Sequence, residues 1–419
     1  MGSACNLSCY FCSNRYNPPW AKVINVPYIP LEVIRELISY LDPEKKVIIG
    51  ESATRFNEGE PLFHPDFLNI LKEVRKHFPR SLIQVTTNGV LLDCSLQEEL
   101  KSLMPMELVI SFNSLKETTR STFLSDPNPQ QTIRNFLHLK RSNIPFQASF
   151  LLTPPFISEF PQSLRVAEEL GASYIRLLLP GGTRWAPREL QASMAEWKRL
   201  KKMALSWRTK LSVPLMVEPP LVEDLYAEVE GVLRNSPAER ASLKVGDVIQ
   251  KVNDLKPLSR CEAFAAINRE KDPVLEVKRK KEVFSATLFK EKKERGGLIF
   301  ANDLYFDSLR RTISRAPSGG KGACLTSELA YKVVALASSN ISREIQVFPV
   351  FNGSFGGSIR ALGLLTVEDF RLRLSELKEE KLDWVILNPV FIEDGLDLRG
   401  VGPSSLEEEF HLSLIFSEP

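Results

Sequence analysis

The chain has 419 residues, 43% of them hydrophobic and 25% charged, with a formal net charge of +2. That length accommodates about two to four domains with real cores, and so balanced a charge gives no sign of a nucleic-acid or membrane partner. No apolar run approaches the ~20 residues of a membrane span, and Met1-Gly2-Ser3-Ala4-Cys5 lacks the basic lead and apolar core of a signal peptide, so a cytoplasmic protein is expected.

In chain order, a loop carrying Cys5, Cys9 and Cys12 comes first. Short apolar runs then alternate with amphipathic stretches as far as residue 217. Strands are predicted at Val47–Gly50, Leu82–Thr87, Leu108–Phe112, Phe146–Leu152, Tyr174–Leu179 and Ser212–Val217. Helices are predicted at Leu31–Leu41, Phe67–His77, Gln97–Leu103, Gln131–Lys140, Gln162–Leu170 and Leu190–Lys210, with Asp66 capping the second. Repeated strand–helix units imply an α/β fold, here a partial parallel β/α (TIM-like) barrel, with ligands at the carboxyl ends of the strands. From 218 to 300 the pattern turns β-rich, with Val274–Arg279 and Val283–Leu288 flanking a hairpin turn at Lys280-Lys281. Residues 301–419 mix helical and strand patterns after a Pro/Ser/Gly/Lys joint at Ala316–Gly322, which implies a C-terminal α/β domain.

Three of the six cysteines fall within eight residues, Cys5-Asn6-Leu7-Ser8-Cys9-Tyr10-Phe11-Cys12. With six cysteines in 419 residues, C-x3-C-x2-C arises by chance in about one chain in a thousand. A disulfide framework would spread cysteines in pairs, so a tight cluster reads as metal ligation in a reducing compartment. Zinc would want a fourth Cys or His close by, and none is evident. A cubane usually takes four cysteine thiolates, so three in one short loop, with no fourth nearby in sequence, would leave one iron open. S-adenosylmethionine (SAM) needs such an iron, which its amino and carboxylate groups chelate. Electron transfer from the reduced cluster then cleaves the sulfonium to methionine and a 5′-deoxyadenosyl radical, which abstracts hydrogen from a substrate.

This loop, with an aromatic (Phe11) before its last cysteine, resembles the signature of the radical SAM superfamily. Asn57-Glu58-Gly59-Glu60-Pro61 resembles the family's Gly-Gly-Glu-Pro motif, with Glu58 in place of the first glycine. Thr86-Thr87-Asn88-Gly89 resembles the Thr-Asn-Gly of molybdopterin-biosynthesis-type members. The resemblance implies a [4Fe–4S] cluster on Cys5, Cys9 and Cys12. It implies SAM contacts from Phe11, Gly59, Glu60, Pro61, Thr87 and Asn88, and ribose contacts from Ser111 and Asn113. Arg176 is a candidate for the SAM carboxylate, or else a salt-bridge partner within the sheet. Catalytic residues beyond these are unknown. The family usually has a β-strand before the cysteine loop, whereas four residues precede Cys5, so either the start lies upstream or another element fills that edge.

Residues 225–290 resemble a bacterial PDZ domain through Asn235-Ser236-Pro237-Ala238, Ala241-Ser242-Leu243, Gly246-Asp247-Val248-Ile249 and Val252-Asn253-Asp254. Such a module implies either a peptide or protein ligand added as a strand or a rigid spacer. Gly363–Phe370 and Trp384–Pro389 resemble the uncharacterised C-terminal domain of bacterial proteins that combine PDZ-like and radical SAM parts. The whole reads as a radical SAM core (1–217), a PDZ-like module (218–300) and a C-terminal domain (301–419), served by an electron donor such as flavodoxin or ferredoxin. The alternatives are a PDZ-type adaptor with a structural or vestigial cluster and a redox iron–sulfur protein in which Cys94 is the fourth ligand.

Overall fold

The structure is a computed structural model that describes residues 1–50, 57–341 and 345–417. It divides into two compact units: Met1–Pro180 with Ala186–Glu218, and Gly181–Trp185 with Pro219–Pro419.

The first unit is built on six parallel strands, β1 (Val47–Ile49), β2 (Ile83–Thr87), β3 (Met106–Ser111), β4 (Phe146–Leu151), β5 (Tyr174–Leu178) and β6 (Leu215–Glu218). They lie in chain order, β1-β2-β3-β4-β5-β6. The strand order shows no reversal, and with the right-handed crossovers usual for parallel strands the connecting helices fall on one face. Those helices are α1 (Leu31–Ile38), α2 (Phe67–His77), α3 (Cys94–Lys101), α4 (Glu117–Thr119), α5 (Pro129–Ser142), α6 (Phe160–Glu169) and α7 (Met194–Leu205). α4 runs on as a π-turn through Arg120–Leu124. Strand periodicity sorts the side chains. Ile83, Val85, Leu108, Ile110, Ala148, Phe150, Ile175, Leu177, Leu215 and Val217 are buried on the helical face. The register Ser111↔Ser149↔Arg176 sets polar groups side by side on the other face, where Glu218 lies opposite Leu178.

Two expectations are corrected. Asp66 precedes α2 but does not cap it with its side chain; its backbone is not extended, and its carboxylate takes the Asn69 amide instead, Nδ2 to Oδ1 at 3.1 Å. The stretch from Leu190 to Lys210 is not one helix. Ser193 and Glu196 form a capping box, which starts α7 at Met194.

In the second unit, β7 (Gly231–Val232) pairs with β11 (Leu298–Ile299) beside an antiparallel sheet ordered β10-β9-β8. The latter strands are β8 (Val248–Val252), β9 (Val274–Arg279) and β10 (Glu282–Thr287), joined at Lys280-Lys281 as predicted, with Lys280 at φ 55°. Helices α8 (Pro237–Arg240) and α9 (Arg260–Arg269) contribute Ala238, Ala263, Ala266 and Ile267 to a core with Val229, Leu275, Val277 and Leu288. The C-terminal part contains α10 (Phe306–Ser314), β12 (Gly322–Ser327), α11 (Tyr331–Ile341), β13 (Gln346–Val350), α12 (Val367–Glu376), β14 (Trp384–Leu387), α13 (Ser404–Phe410) and β15 (Ser413–Phe416). Its parallel sheet is ordered β13-β12-β14-β15, so this sheet does reverse and has a core on each face. Among the described residues, no helix is long and apolar enough to cross a membrane.

Phe112 joins the first unit's core to the loop that leaves β3. Its ring stacks on Phe136 at 4.5 Å and meets Phe146 and Phe150 at 6.0 and 5.8 Å. Phe112→Ala should therefore cost about 3–5 kcal/mol, read as a lower urea midpoint of the first unit's transition with the slope unchanged.

Candidate functional site

The cysteine loop is attached to the sheet's carboxyl end by main-chain hydrogen bonds on both sides. Before Cys5, the Gly59 amide donates to Gly2 O (2.8 Å) and the Glu60 amide to Ala4 O (2.9 Å). The Ser3 amide donates to Val26 O, and the Ile29 amide to Met1 O at 3.1 Å. After Cys5, the Tyr10 amide donates to Phe123 O (2.9 Å) and the Ser125 hydroxyl to Ser8 O (3.2 Å). Cys12 begins a one-turn helix, Ser13–Arg15, and the Arg15 guanidinium donates back to the carbonyls of Ser8 and Cys9 at 3.3 and 3.4 Å. Phe11 packs edge-on against Phe156, with centroids 5.5 Å apart.

Residues 57–61 form the opposite wall. Gly59 has no room for a side chain, because a Cβ would stand 1.9 Å from Ala4 O. Gly50, at φ +90°, is equally confined, its Cβ meeting Pro61 Cγ and Thr86 O at 2.5 Å. Pro61 opens a one-turn helix through Phe63, where its missing N–H costs nothing. The Glu60 carboxylate is buried and receives three donors: the Leu62 amide (3.2 Å), the Thr87 hydroxyl (2.6 Å) and the Asn88 amide (2.7 Å). Burial raises its pKa, and those three donors oppose the rise.

Thr87 closes β2, and its hydroxyl also accepts from the Gly89 amide at 3.0 Å. The Asn88 side chain donates to Asn6 Oδ1 at 2.8 Å, and its Nδ2 lies 3.9 Å from Cys5 Sγ. Ser111 ends β3 in register with Ser149. Asn113 follows in the left-handed region (φ 45°), and its Oδ1 accepts the Leu151 amide at 3.0 Å. Arg176 makes a bidentate pair with Glu218 across β5 and β6, at 2.9 and 2.7 Å, the salt-bridge alternative of the sequence.

Cys5, Cys9 and Cys12 are free thiols on this loop. Burial comes first in pushing the Cys9 thiol up to about 12, and the nearby Cys12 and Cys5 add to it. Burial likewise raises Cys5, opposed by the Leu7 amide donating to its sulfur at 3.5 Å. Among the described residues, no three His, Cys, Asp or Glu side chains converge tightly enough to hold a single metal ion. A cubane makes a different demand, since each thiolate binds its own iron at a separate corner. The donor set fits such a group: three soft sulfur ligands, and main-chain N–H nearby for the sulfurs. Asn6 Nδ2 and Thr86 Oγ1 are also buried with no partner among the described residues, two polar atoms at this end of the sheet that a bound molecule could satisfy.

Residues 1–167 match the Radical SAM superfamily. The chain thus carries a radical SAM domain, and that superfamily uses a [4Fe–4S] cluster and SAM. The AdoMet-dependent heme synthase of Methanosarcina barkeri (strain Fusaro / DSM 804), an enzyme by its name, is 25% identical over 185 residues, 43% of this chain and 50% of that protein. The chain therefore spans about half the length of this curated relative. Among solved structures, Streptococcus suis SuiB bound to S-adenosylmethionine aligns with a TM-score of 0.42 at 16% identity, over 52% of this chain and 48% of that one. Native anSMEcpe with bound AdoMet and Kp18Cys peptide aligns with a TM-score of 0.38 at 14% identity, over 51% and 61%.

Sequence reasoning did not find the strap from Gly2 to Ala4, the platform at Phe123–Ser125 or Arg120. The first two act mostly through main-chain groups, which no residue type advertises. Arg120 stands in a short helix as an ordinary surface arginine would.

Two tests follow from this geometry in the radical SAM domain. Glu60→Ala leaves the Leu62 and Asn88 amides and the Thr87 hydroxyl without their acceptor, and should cost about 3 kcal/mol in denaturant unfolding and reduce iron uptake. A thiol with a raised pKa is protonated at neutral pH. Alkylation of Cys9 in metal-free protein, followed site by site by mass spectrometry, should therefore be slow at pH 8 and climb about tenfold per pH unit towards pH 12.

Proposed function

We propose that this protein is a radical SAM enzyme of the cytoplasm. In this reading Cys5, Cys9 and Cys12 hold a [4Fe–4S] cluster, and SAM lies between the cysteine loop and residues Gly59, Glu60, Pro61, Thr87, Asn88, Ser111 and Asn113. The observation that carries the reading is the tie between the two motifs: Gly59 and Glu60 hydrogen-bond to the residues before Cys5, and Asn88 to Asn6 beside it. When bound, the cluster and SAM supply one-electron cleavage of the sulfonium and a 5′-deoxyadenosyl radical for hydrogen abstraction.

The chain's own groups divide the remaining work. Asn88 orients Asn6 and leans on Cys5, so it sets the attitude of the first ligand. Asn113 locks the turn after β3 to β4, which fixes the level of Ser111 at the mouth of the sheet. Phe11 and Phe156 form an apolar flank to the loop's last turn. The sheet's polar face supplies Ser149 and the Arg176–Glu218 pair as substrate-side groups. We read the open sheet as a partial β/α barrel, and the chain as three modules: 1–217, 218–300 and 301–419. A peptide or protein substrate is supported by the PDZ resemblance of residues 225–290, where β10 leaves a sheet edge for an added strand. A one-electron donor such as flavodoxin or ferredoxin completes the system.

Anaerobic reconstitution with iron and sulfide, then dithionite and SAM, should yield 5′-deoxyadenosine by chromatography, and Cys9→Ala should abolish it. A bound cluster that yields none, and that is lost on Cys94→Ala, would replace the enzyme by an electron-transfer protein.

A further inference from the structure

Arg120 and Asp126 form an ion pair with both side chains fully buried, Nε to Oδ2 at 2.7 Å. A guanidinium removed from water persists only where its donors are met. Nη1 reaches Phe112 O (3.3 Å) and Ser114 O (3.1 Å), and the Phe136 ring lies under the cation at 5.2 Å. Nη2 is the exception, buried and without a partner among the described residues. The same turn carries the cysteine loop: Phe123 O accepts the Tyr10 amide, and Leu124 O lies 3.9 Å from Cys9 Sγ.

We propose that Arg120 is a positioning residue that sets the reduction potential of the cluster, its free Nη2 N–H serving the Cys9 sulfur. This inference rests on the radical SAM reading. Reduction adds one electron to the cluster, taken from a one-electron reductant (dithionite in the assay). No proton moves, and Arg120 stays charged throughout. An N–H donor and a nearby cation stabilise the more negative, reduced cluster more than the oxidised one, so they raise its potential. Asp126 keeps the guanidinium in place and offsets its charge at a distance. The Asn128 amide, which donates to Asp126 Oδ1 at 3.0 Å, fixes the carboxylate in turn.

The test is potentiometric titration of the reconstituted full chain with dithionite, followed by electron paramagnetic resonance, with iron and sulfide counted per chain. Arg120→Met combined with Asp126→Asn removes both buried charges together while keeping an acceptor for the Asn128 amide. It should retain the cluster. At the wild-type midpoint its reduced-to-oxidised ratio should fall at least tenfold, which is 59 mV for one electron. Arg120→Lys keeps the charge without the guanidinium fork and should shift the ratio the same way by less. A double variant with a full cluster and the wild-type midpoint overturns the inference, because packing alone would then explain Arg120. If the double variant takes up no cluster, Arg120→Lys decides, and an unmoved midpoint there overturns it equally. A wild-type chain that takes up no cluster overturns both the inference and the reading beneath it. One that takes up a cluster but yields no 5′-deoxyadenosine removes only the enzyme reading, and the midpoints still judge Arg120.

Discussion

The Glu60 carboxylate gathers three donors from two segments far apart in sequence, the Leu62 amide on one side and the Thr87 hydroxyl and Asn88 amide on the other. Its own backbone N–H holds Ala4, the residue before the first cysteine. One residue therefore couples the end of β2, the turn after β1 and the root of the cysteine loop. A buried carboxylate is costly unless its lone pairs are occupied, and here the satisfying groups are those whose positions matter. Apolar packing could hold these segments together but would leave their angles loose; directed hydrogen bonds do not.

The opposite anchorage of the loop has another character. Main-chain carbonyls at the end of the π-turn receive the loop, and the Arg120–Asp126 pair stiffens that turn from within the core. The stacked rings of Phe112 and Phe136 place the pair. The first unit's core and its candidate site thus share residues, so a core mutation near Phe112 is transmitted to the loop.

Much of the fold was legible because periodicity is local. The Phe67–His77 helix begins and ends where its apolar spacing places it, and each predicted strand overlaps an observed one in the first unit. Errors fall where side-chain chemistry competes with periodicity. Ser193 with Glu196 starts a helix that the apolar pattern began too early, and Asp66 spends its carboxylate on Asn69 rather than on a cap. At the site, Gly59-Glu60-Pro61 and Thr87-Asn88 were readable as motifs. That Glu60 binds Thr87 and Asn88 was not, since it depends on which loops the sheet order brings together. Arg120 was invisible for a related reason: its buried state follows from the π-turn, which no spacing rule foretells.

The raised thiol of Cys9 has a consequence for the life of the protein outside its loaded state. Peroxide and other oxidants attack the thiolate, and overoxidation to sulfinic or sulfonic acid is irreversible without dedicated repair. A half-buried sulfur that keeps its proton is a poor target. A chain stripped of its cluster by oxygen would retain an intact central ligand, so damage to the metal centre need not become damage to the polypeptide. Such a chain can be refilled when iron and sulfide return.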